Sequence, residues 1–263
     1  GSCEFISITG NDKYNKLIKQ HLKKQNIQSH LLIDQSRPTT YKKRYMVESQ
    51  KLFRVSKLED QPIDSSLENK LIEILKDRLP KVKGIVISDF NYGVITNRVI
   101  EEIRALAHLH KVMIFGDSQC SSQVGSITKF RDFTLMCPNE REARISLQNK
   151  TSGLESLVLQ LFERCRPENL IMTLGSQGFI TYIKDKEGRI INQHFPALAS
   201  NPVDATGAGD SLLACMALSL SAKVPPMEAS ALSCFICTIA VESLGNKPIS
   251  SNQVSRKIKE YFD

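Results

Sequence analysis

The segment from Pro202 to Asp210 carries the residue types that phosphate chemistry needs. It reads Pro-Val-Asp-Ala-Thr-Gly-Ala-Gly-Asp and is followed at once by the apolar run 211–220. Glycines that open a helix expose backbone N–H groups, and these groups together with the helix dipole attract negative charge. We therefore expect an anion hole at residues 207–209, with Asp210 as the general base for an attacking hydroxyl. The alternative is a glycine-rich helix start with a capping Asp.

The elements that must position this segment alternate along the chain. Short β-rich runs are separated by amphipathic stretches of helical length, a pattern typical of a parallel sheet covered by helices. The predicted strands are Glu4 to Ile8, Gly84 to Ser88, Val112 to Phe115, Phe133 to Met136, Leu170 to Leu174 and Gly178 to Ile183. The predicted helices include Ser65 to Leu79, a helix that starts at Thr96, Gly207 to Ala222 and Met227 to Ser243.

One segment, Thr39 to Ser56, departs from this alternation. It is β-prone and contains no helical stretch, which predicts a hairpin outside the main sheet. Since side chains alternate along a strand, one face of the hairpin should be apolar and the other cationic. Its basic residues are Lys42, Lys43, Arg44, Lys51 and Arg54, and its apolar ones include Tyr41, Tyr45, Phe53 and Val55.

Composition favours a globular chain in a reducing compartment. Hydrophobic residues make up 41% of the 263 and charged residues 24%, too apolar for a disordered chain. No apolar run has the length of a membrane span, so we expect no membrane partner. The seven cysteines are odd in number and scattered, which favours the cytoplasm. They are Cys3, Cys120, Cys137, Cys165, Cys215, Cys234 and Cys237.

The net charge of +7 is concentrated in residues 13–57, which hold twelve Lys or Arg and two acidic residues. Such a segment suits an anionic small molecule or nucleic acid. Since no recognised nucleic-acid motif accompanies the charge, we expect a small-molecule partner. The alternative for the lysines near residue 20 is a solvated helix face.

Taken together, these segments resemble the PfkB, or ribokinase-like, family of ATP-dependent sugar kinases. The string from 204 to 210 is similar to the family signature, and other segments follow in the family's order. These are Ser88-Asp89-Phe90-Asn91-Tyr92-Gly93, Pro138-Asn139-Glu140-Arg141-Glu142 and Thr173-Leu174-Gly175-Ser176-Gln177-Gly178. Within the family, the residues after Pro38 look most like the kinase that phosphorylates heptose 7-phosphate.

The resemblance implies a ribokinase-like three-layer α/β/α fold with a mostly parallel central sheet and a small β lid. It divides the chain into a first strand and helix (1–38), the lid hairpin (39–57) and the nucleotide-binding body (58–263). It implies ATP and Mg²⁺, and a homodimer formed through the lid. The anion hole and base that it implies are Gly207, Ala208, Gly209 and Asp210.

The family's nucleotide and metal residues map onto three further places. Asn139 and Glu142 would order the Mg²⁺ shell and the ATP phosphates; the alternative is a helix cap and a solvated carboxylate. Asp204 and Thr206 match positions that hold a monovalent cation in some relatives. The residues along the nucleotide would be Thr173, Gly175 and Gly178, for which the alternative is a plain turn between strands.

For the acceptor, the resemblance implies Lys42, Arg44, Arg54 and Asp89. Two lysines of the heptose-phosphate kinases are replaced here by Tyr92 and Gln119, so heptose phosphate, another sugar phosphate and a plain sugar all stay open. The family's opening Gly-Asp strand and its Gly-Gly-x-x-x-Asn segment have no counterpart in this sequence. We therefore expect a C-terminal fragment of a larger protein or a truncated paralogue. The alternative function is a nucleotide-binding or dimerisation module without catalysis.

Overall fold

A computed structural model describes residues 1–47, 50–119, 125–245 and 247–263, and the side chains of Gln50 and Lys51 are not among the described atoms. Cys120 lies outside these ranges. The described chain divides into two compact units. The first contains Gly1–Val82 and Asp89–His110, and the second contains residues 83–88, 111–119 and the described residues from 125 onward.

The first unit combines a parallel strand pair, a hairpin and three helices. β1 and β2 pair in parallel, with Glu4 beside Gln28 and Gly10 beside Asp34. Asp12 caps the helix between them, because its side chain accepts hydrogen bonds from the N–H groups of Tyr14 and Asn15. The elements are β1 (Glu4–Gly10), α1 (Lys13–Lys24), β2 (Gln28–Asp34), β3 (Tyr41–Val47), β4 (Gln50–Lys57), α2 (Ser65–Arg78) and α3 (Asn97–His110).

Strands β3 and β4 form the hairpin that the sequence predicts, and they pair antiparallel. Their register places Tyr45 beside Phe53, whose rings stack with centroids 4.5 Å apart. It places Arg44 beside Arg54, one residue further along and therefore on the opposite face. Lys43, however, is paired with Val55 on the same face as Tyr45 and Phe53, and its ammonium lies 4.6 Å from the ring centroid of Tyr45. The prediction of one apolar and one cationic face is therefore wrong at Lys43, because the aromatic face also carries this cation.

The second unit contains a six-stranded sheet in the order β10-β9-β8-β7-β6-β5. The pairs β6–β7 and β7–β8 are parallel, whereas β8–β9 and β9–β10 are antiparallel. The elements are β5 (Gly84–Asp89), β6 (Met113–Ser118), β7 (Leu135–Met136), α4 (Glu140–Leu147), α5 (Leu154–Cys165), β8 (Asn169–Thr173), β9 (Phe179–Lys184), β10 (Ile190–Phe195), α6 (Ala208–Ser221), α7 (Pro226–Val241) and α8 (Ser251–Phe262).

Helices cover both faces of this sheet. Phe115 and Ile171 belong to one buried cluster with Leu212 and Met216 of α6 and with residues of α7. On β9, Tyr182 is fully buried, and its hydroxyl donates to Glu155 of α5. The predicted α/β fold with a mostly parallel central sheet is confirmed. No helix in the described ranges is long and apolar enough to cross a bilayer.

Two strands do not follow from the sequence pattern. β2 begins with Gln28, Ser29 and His30, which have low strand propensity, and it is a strand because it pairs along its whole length with β1. β10 pairs with β9, and three of its central residues, Asn192, Gln193 and His194, are exposed and polar. In both strands tertiary pairing outweighs local preference.

Candidate active site

The start of α6 has the geometry of an anion-binding turn. Gly207 lies at the N-cap with φ +84, a left-handed conformation that favours glycine. In an α-helix the first N–H groups have no partner within the helix, and Gly207 at the N-cap has no side chain that could cap them. The Ala208 N–H donates to the Ala205 carbonyl at 3.3 Å. A Cβ atom added at Gly209 would have no heavy atom within 4 Å. Space for an anion therefore lies directly beside the backbone of this turn, which we call the anion turn (residues 207–209).

Asp210 stands in the first turn of α6, one residue beyond the anion turn. Its side chain is partly buried, and this burial raises the pKa of the carboxyl above the ordinary value of 3.8. A carboxylate with a raised pKa is a better proton acceptor near neutral pH than an exposed Asp. The position and the electrostatics both suit a general base.

Asp117 is a residue of this region that the sequence analysis did not assign. It lies near the carboxyl end of β6, and its pKa is raised to about 7 by burial and by the negative charges of Glu142 and Asp210. Glu142 and Asp210 therefore both lie within electrostatic reach of Asp117, and we call the three carboxylates the carboxylate cluster. An available signal was that Asp117 stands two residues beyond the predicted apolar strand Val112 to Phe115, since ligands of parallel sheets gather at strand carboxyl ends.

Asn139 and Glu142 form a capping box at the start of α4. The Glu142 N–H donates to Asn139 Oδ1 at 2.9 Å, and the Asn139 N–H donates to Glu142 Oε2 at 3.0 Å. The alternative that Asn139 caps a helix is thus present in the structure. Glu142, however, is 7% exposed, so its carboxylate is not a solvated one. The cap fixes one carboxylate oxygen and holds the side chain within the cluster.

The turn from Thr173 to Gly178 adjoins this cap. Asn139 bridges to Thr173, and the Thr173 N–H donates to the carbonyl of Pro138 at 3.0 Å. Gly178 has φ +89, and a Cβ atom there would lie 2.1 Å from the Phe195 carbonyl oxygen. Only glycine fits at this point, where the chain passes against β10. Gly175 also has a positive φ, but the space around it is open.

Asp204 and Thr206 fix the approach to the anion turn. Asp204 Oδ1 accepts from the Thr206 N–H at 3.0 Å, and the Asp204 N–H donates to the Val241 carbonyl at 3.0 Å. The Gly245 N–H reaches Asp204 Oδ2 at 3.4 Å. Thr206 also lines a small cavity together with residues of α7, of the loop that follows it and of α8, among them Ile239, Ser243, Pro248 and Gln253.

The predicted acceptor residues Lys42 and Asp89 meet in the first unit at one loop, residues 89–93, which we call the acceptor loop. The Lys42 ammonium lies 4.9 Å from the ring centroid of Phe90 and 5.0 Å from that of Tyr92. Asp89 is 3% exposed, and its Oδ1 accepts from the Asn91 N–H at 2.8 Å. The rings orient the ammonium by cation–π attraction.

Arg44 and Arg54 extend this arrangement along the hairpin. They are paired directly across the two strands, and Lys42 follows on the same face two residues away. Like charges placed directly opposite each other are unfavourable in a strand pair. An anion that binds this face gains from all three cations.

Sequence comparison identifies the family to which the chain belongs. Residues 1–251 match the profile of the pfkB family carbohydrate kinases. The chain belongs to this family. It is 29% identical over 252 residues to the bifunctional protein HldE of Helicobacter acinonychis, a match that covers 94% of this chain and 52% of that protein. HldE of Helicobacter pylori strain Shi470 is 27% identical over the same length. The chain thus spans about half the length of the curated relatives it matches.

Solved kinase structures share the fold. Phosphofructokinase-2 from Escherichia coli, solved with substrates and products, superposes with a TM-score of 0.79 and 14% identity, over 100% of this chain and 83% of that one. Ribokinase from Thermotoga maritima gives a TM-score of 0.74 at 20% identity, over 98% and 81% of the two chains. At these identities the likeness establishes the ribokinase-like fold.

Proposed function

We propose that this chain carries out ATP-dependent phosphorylation of a hydroxyl group on a sugar or sugar phosphate. The observation that carries the proposal is a partly buried Asp210 with a raised pKa, directly behind a glycine turn at the start of α6. Phosphoryl transfer depends on positioning and on charge stabilisation, and this turn supplies both a proton acceptor and backbone donors. Membership of a carbohydrate kinase family supports the same reaction.

In the proposed reaction each residue of the second unit has a separate task. Asp210 accepts the proton of the attacking hydroxyl, and the N–H groups of the anion turn donate to the oxygens of the transferred phosphoryl group. Asn139 uses Oδ1 for its helix cap, so its amide N–H₂ is the group it offers to the nucleotide phosphates. The turn from Thr173 to Gly178 and the cavity beside Thr206 are the proposed contacts for the rest of the nucleotide.

Asp117 and Glu142 are the residues that we propose for Mg²⁺. Both carry carboxylate oxygens, the ligand type that Mg²⁺ prefers, and both are shielded from solvent. Burial and the negative charges of Glu142 and Asp210 raise the pKa of Asp117, and a bound divalent cation would favour its ionised form. Mg²⁺ commonly binds one or two carboxylates together with substrate phosphates, and we propose Asp117 and Glu142 as those carboxylates. When bound, the ion would neutralise charge on the phosphates.

A monovalent cation is a further proposal for the segment around Asp204. Its two carboxylate oxygens accept backbone N–H groups from Thr206 and Gly245, which holds the loop and the helix approach together. Potassium is bound in one structure of E. coli phosphofructokinase-2. The proposal is tested by ATP titration in potassium and in sodium buffers of equal ionic strength.

For the acceptor, we propose that Lys42, Arg44, Arg54 and Asp89 are the contacting residues. The cationic face of the hairpin supports a phosphorylated sugar over a plain one, and a guanidinium grips a phosphate in a bidentate manner. Heptose 7-phosphate belongs to the set of acceptors to test, since the sequence resembles that subgroup.

Two measurements on the same protein test the proposal. Calorimetry with ATP and Mg²⁺ measures nucleotide binding, and a coupled assay measures ADP release over a panel of sugars and sugar phosphates. We expect binding together with acceptor-dependent ADP release. Binding without ADP release for any acceptor would instead support a nucleotide-binding module, and the absence of both would refute the kinase assignment.

The activity should depend on pH through the base. Asp210 must be ionised to accept a proton, so kcat/KM falls as the pH falls through its pKa. Because that pKa lies above the ordinary 3.8, the loss begins at a higher pH than for an exposed Asp. The measurement is a pH profile at saturating ATP. The same profile is measured for the Asp117→Asn variant. The pKa of Asp117 is raised to about 7, so the profile of the parent protein reports the titration of both Asp117 and Asp210. A profile that stays flat down to the pH at which an exposed Asp titrates would contradict the assignment.

We also propose that the aromatic face of the hairpin forms a homodimer contact. Tyr45 and Phe53 stack on each other and remain 37% and 54% exposed. Exposed aromatic pairs at an interface often contribute most of its binding energy. The Tyr45→Ser/Phe53→Ser variant should therefore weaken dimerisation at least about tenfold, as measured by sedimentation. Leu159→Ser, which removes an exposed apolar residue of α5, is the control. Equal association of the parent protein and the double variant would rule out this contact.

A further inference from the structure

Arg37 occupies a junction in the first unit that no part of the proposed mechanism uses. Its side chain is 11% exposed, and its Nε lies 2.7 Å from Oδ2 of Asp34, which is 2% exposed. The contact is a charge pair and not a linear hydrogen bond. The two terminal nitrogens turn away from Asp34: Nη1 donates to the Tyr92 carbonyl at 3.1 Å, and Nη2 donates to the carbonyls of Gln61 at 2.9 Å and Pro62 at 3.2 Å.

One guanidinium therefore ties together three segments that are far apart in sequence. They are the end of β2, the chain that leaves the hairpin at residues 61–62, and the acceptor loop. Carbonyl groups are neutral, so they do not balance the charge of Arg37. Asp34 does so, and its own Oδ1 accepts from the N–H and hydroxyl of Ser36. The ion pair with Asp34 offsets the cost of burying the charge of Arg37, and the hydrogen bonds to the carbonyls fix the orientation of the guanidinium.

The hairpin has a second attachment at its incoming end. The Thr39 N–H donates to Asp12 Oδ2, and its hydroxyl donates to Oδ1, both at 2.8 Å. The Gly10 N–H donates to the Thr39 hydroxyl oxygen at 3.0 Å. This attachment fixes β3 to the end of β1. Arg37 adds hydrogen bonds from the incoming end of the hairpin to Gln61 and Pro62 beyond its outgoing end, and to Tyr92 of the acceptor loop.

The acceptor loop carries Asp89 and the two rings under Lys42. Tyr92 is the point of contact: its carbonyl accepts from Arg37 and its ring lies under the Lys42 ammonium. The Gly93 carbonyl accepts from the Ile63 N–H at 3.0 Å, directly after the residues that Arg37 also holds. A shift of the acceptor loop would therefore move the two rings that contact the Lys42 ammonium together with the Asp89 carboxylate.

We propose that Arg37 is a positioning residue for the acceptor, acting through the carbonyls of Tyr92, Gln61 and Pro62 on the acceptor loop and the hairpin. It does not touch the acceptor itself. This inference rests on the proposed function, because it assigns Lys42 and Asp89 to acceptor binding. It predicts a defect confined to the acceptor, since the nucleotide residues belong to the second unit.

The substitution Arg37→Lys separates positioning from stability. Lysine keeps a positive charge beside Asp34 but lacks the planar fork that reaches three carbonyls at once. We expect an acceptor KM raised about tenfold or more, because displacement of a binding group by roughly 1 Å is costly, while the KM for ATP changes less than about twofold. Arg37→Met should lower the unfolding midpoint as well, because it leaves Asp34 without its charge partner. Arg98→Lys, at a half-exposed arginine paired with Glu68, is the matched control.

Hydrogen exchange supplies a readout that does not require catalysis. In Arg37→Lys the amides of Asn91 and Ile63 should exchange faster, while that of Ile100 within α3 keeps its rate. An unchanged acceptor KM in an active protein overturns the proposal, as does an equal rise in the KM values of acceptor and ATP. If the parent protein phosphorylates no acceptor, the proposed function fails and the exchange rates decide. Faster exchange of the Ile63 and Asn91 amides in Arg37→Lys supports the role of Arg37 in positioning the acceptor loop, and unchanged exchange refutes it.

Discussion

Replacement of Asp210 by Asn should lower kcat by about 10²- to 10⁴-fold, the range that a general base contributes. Asparagine has nearly the same shape but cannot accept the proton of the attacking hydroxyl. The affinity for ATP should stay the same or rise, because a negative charge close to the anion turn is removed. Turnover is measured by ADP release and affinity by calorimetry, on the same preparation.

The control for this variant is Glu228→Gln. Glu228 is an exposed acidic residue in the first turn of α7, the position that Asp210 has in α6, and its neutralisation should leave kcat unchanged. Retention of more than about a tenth of parent activity by Asp210→Asn or Asp210→Ala would refute the role of Asp210 as base, since a general base contributes at least about a hundredfold.

Replacement of Gly178 by Ala should destabilise the second unit by roughly 2–6 kcal/mol, combining backbone strain with overpacking. Gly178 has φ +89 and ψ −130, a region that side chains avoid. The new Cβ would also lie 2.1 Å from the Phe195 carbonyl oxygen, a backbone atom that is fixed in the pairing of β10 with β9. Urea unfolding measures the change in the free energy of unfolding.

Gly188→Ala is the matched control for this prediction. Gly188 has φ +81, but a Cβ atom there would meet nothing within 4 Å. Its substitution should cost only the left-handed backbone penalty, about 1–2 kcal/mol. Equal losses for the two variants would show that the contact with Phe195 carries no energy and that the turn after Thr173 can move away from β10.

The parts of the fold that the sequence predicts are those set by local pattern. The hairpin faces follow from a period of two residues, and the α6 start follows from glycines beside an apolar run. The ion pair and the three carbonyl contacts of Arg37 could not be predicted, because its partners lie at residues 34, 61, 62 and 92. Nothing in the residue type distinguishes this arginine from an exposed one.

Within the candidate site, too, features set by a local string could be predicted, and contacts between distant residues could not. Asp210 and its turn belong to one continuous string, so their chemistry can be inferred from the string alone. Asp117 belongs to β6, Glu142 to α4 and Asp210 to α6. Only the folded chain buries Asp117 and brings the charges of Glu142 and Asp210 near it, and together these raise its pKa to about 7. The buried state of Glu142 likewise depends on packing, since a capping-box glutamate is often exposed.

The central claim is that phosphate moves from ATP to a sugar hydroxyl with Asp210 as the base. The most direct test incubates the protein with ATP labelled at the γ-phosphate and a mixture of sugars and sugar phosphates, and then separates the products. We predict label in a new sugar ester for the parent protein and for Glu228→Gln, and almost none for Asp210→Asn. Label that stays in ATP or appears only as inorganic phosphate, equally in the parent and in Asp210→Asn, would contradict the claim.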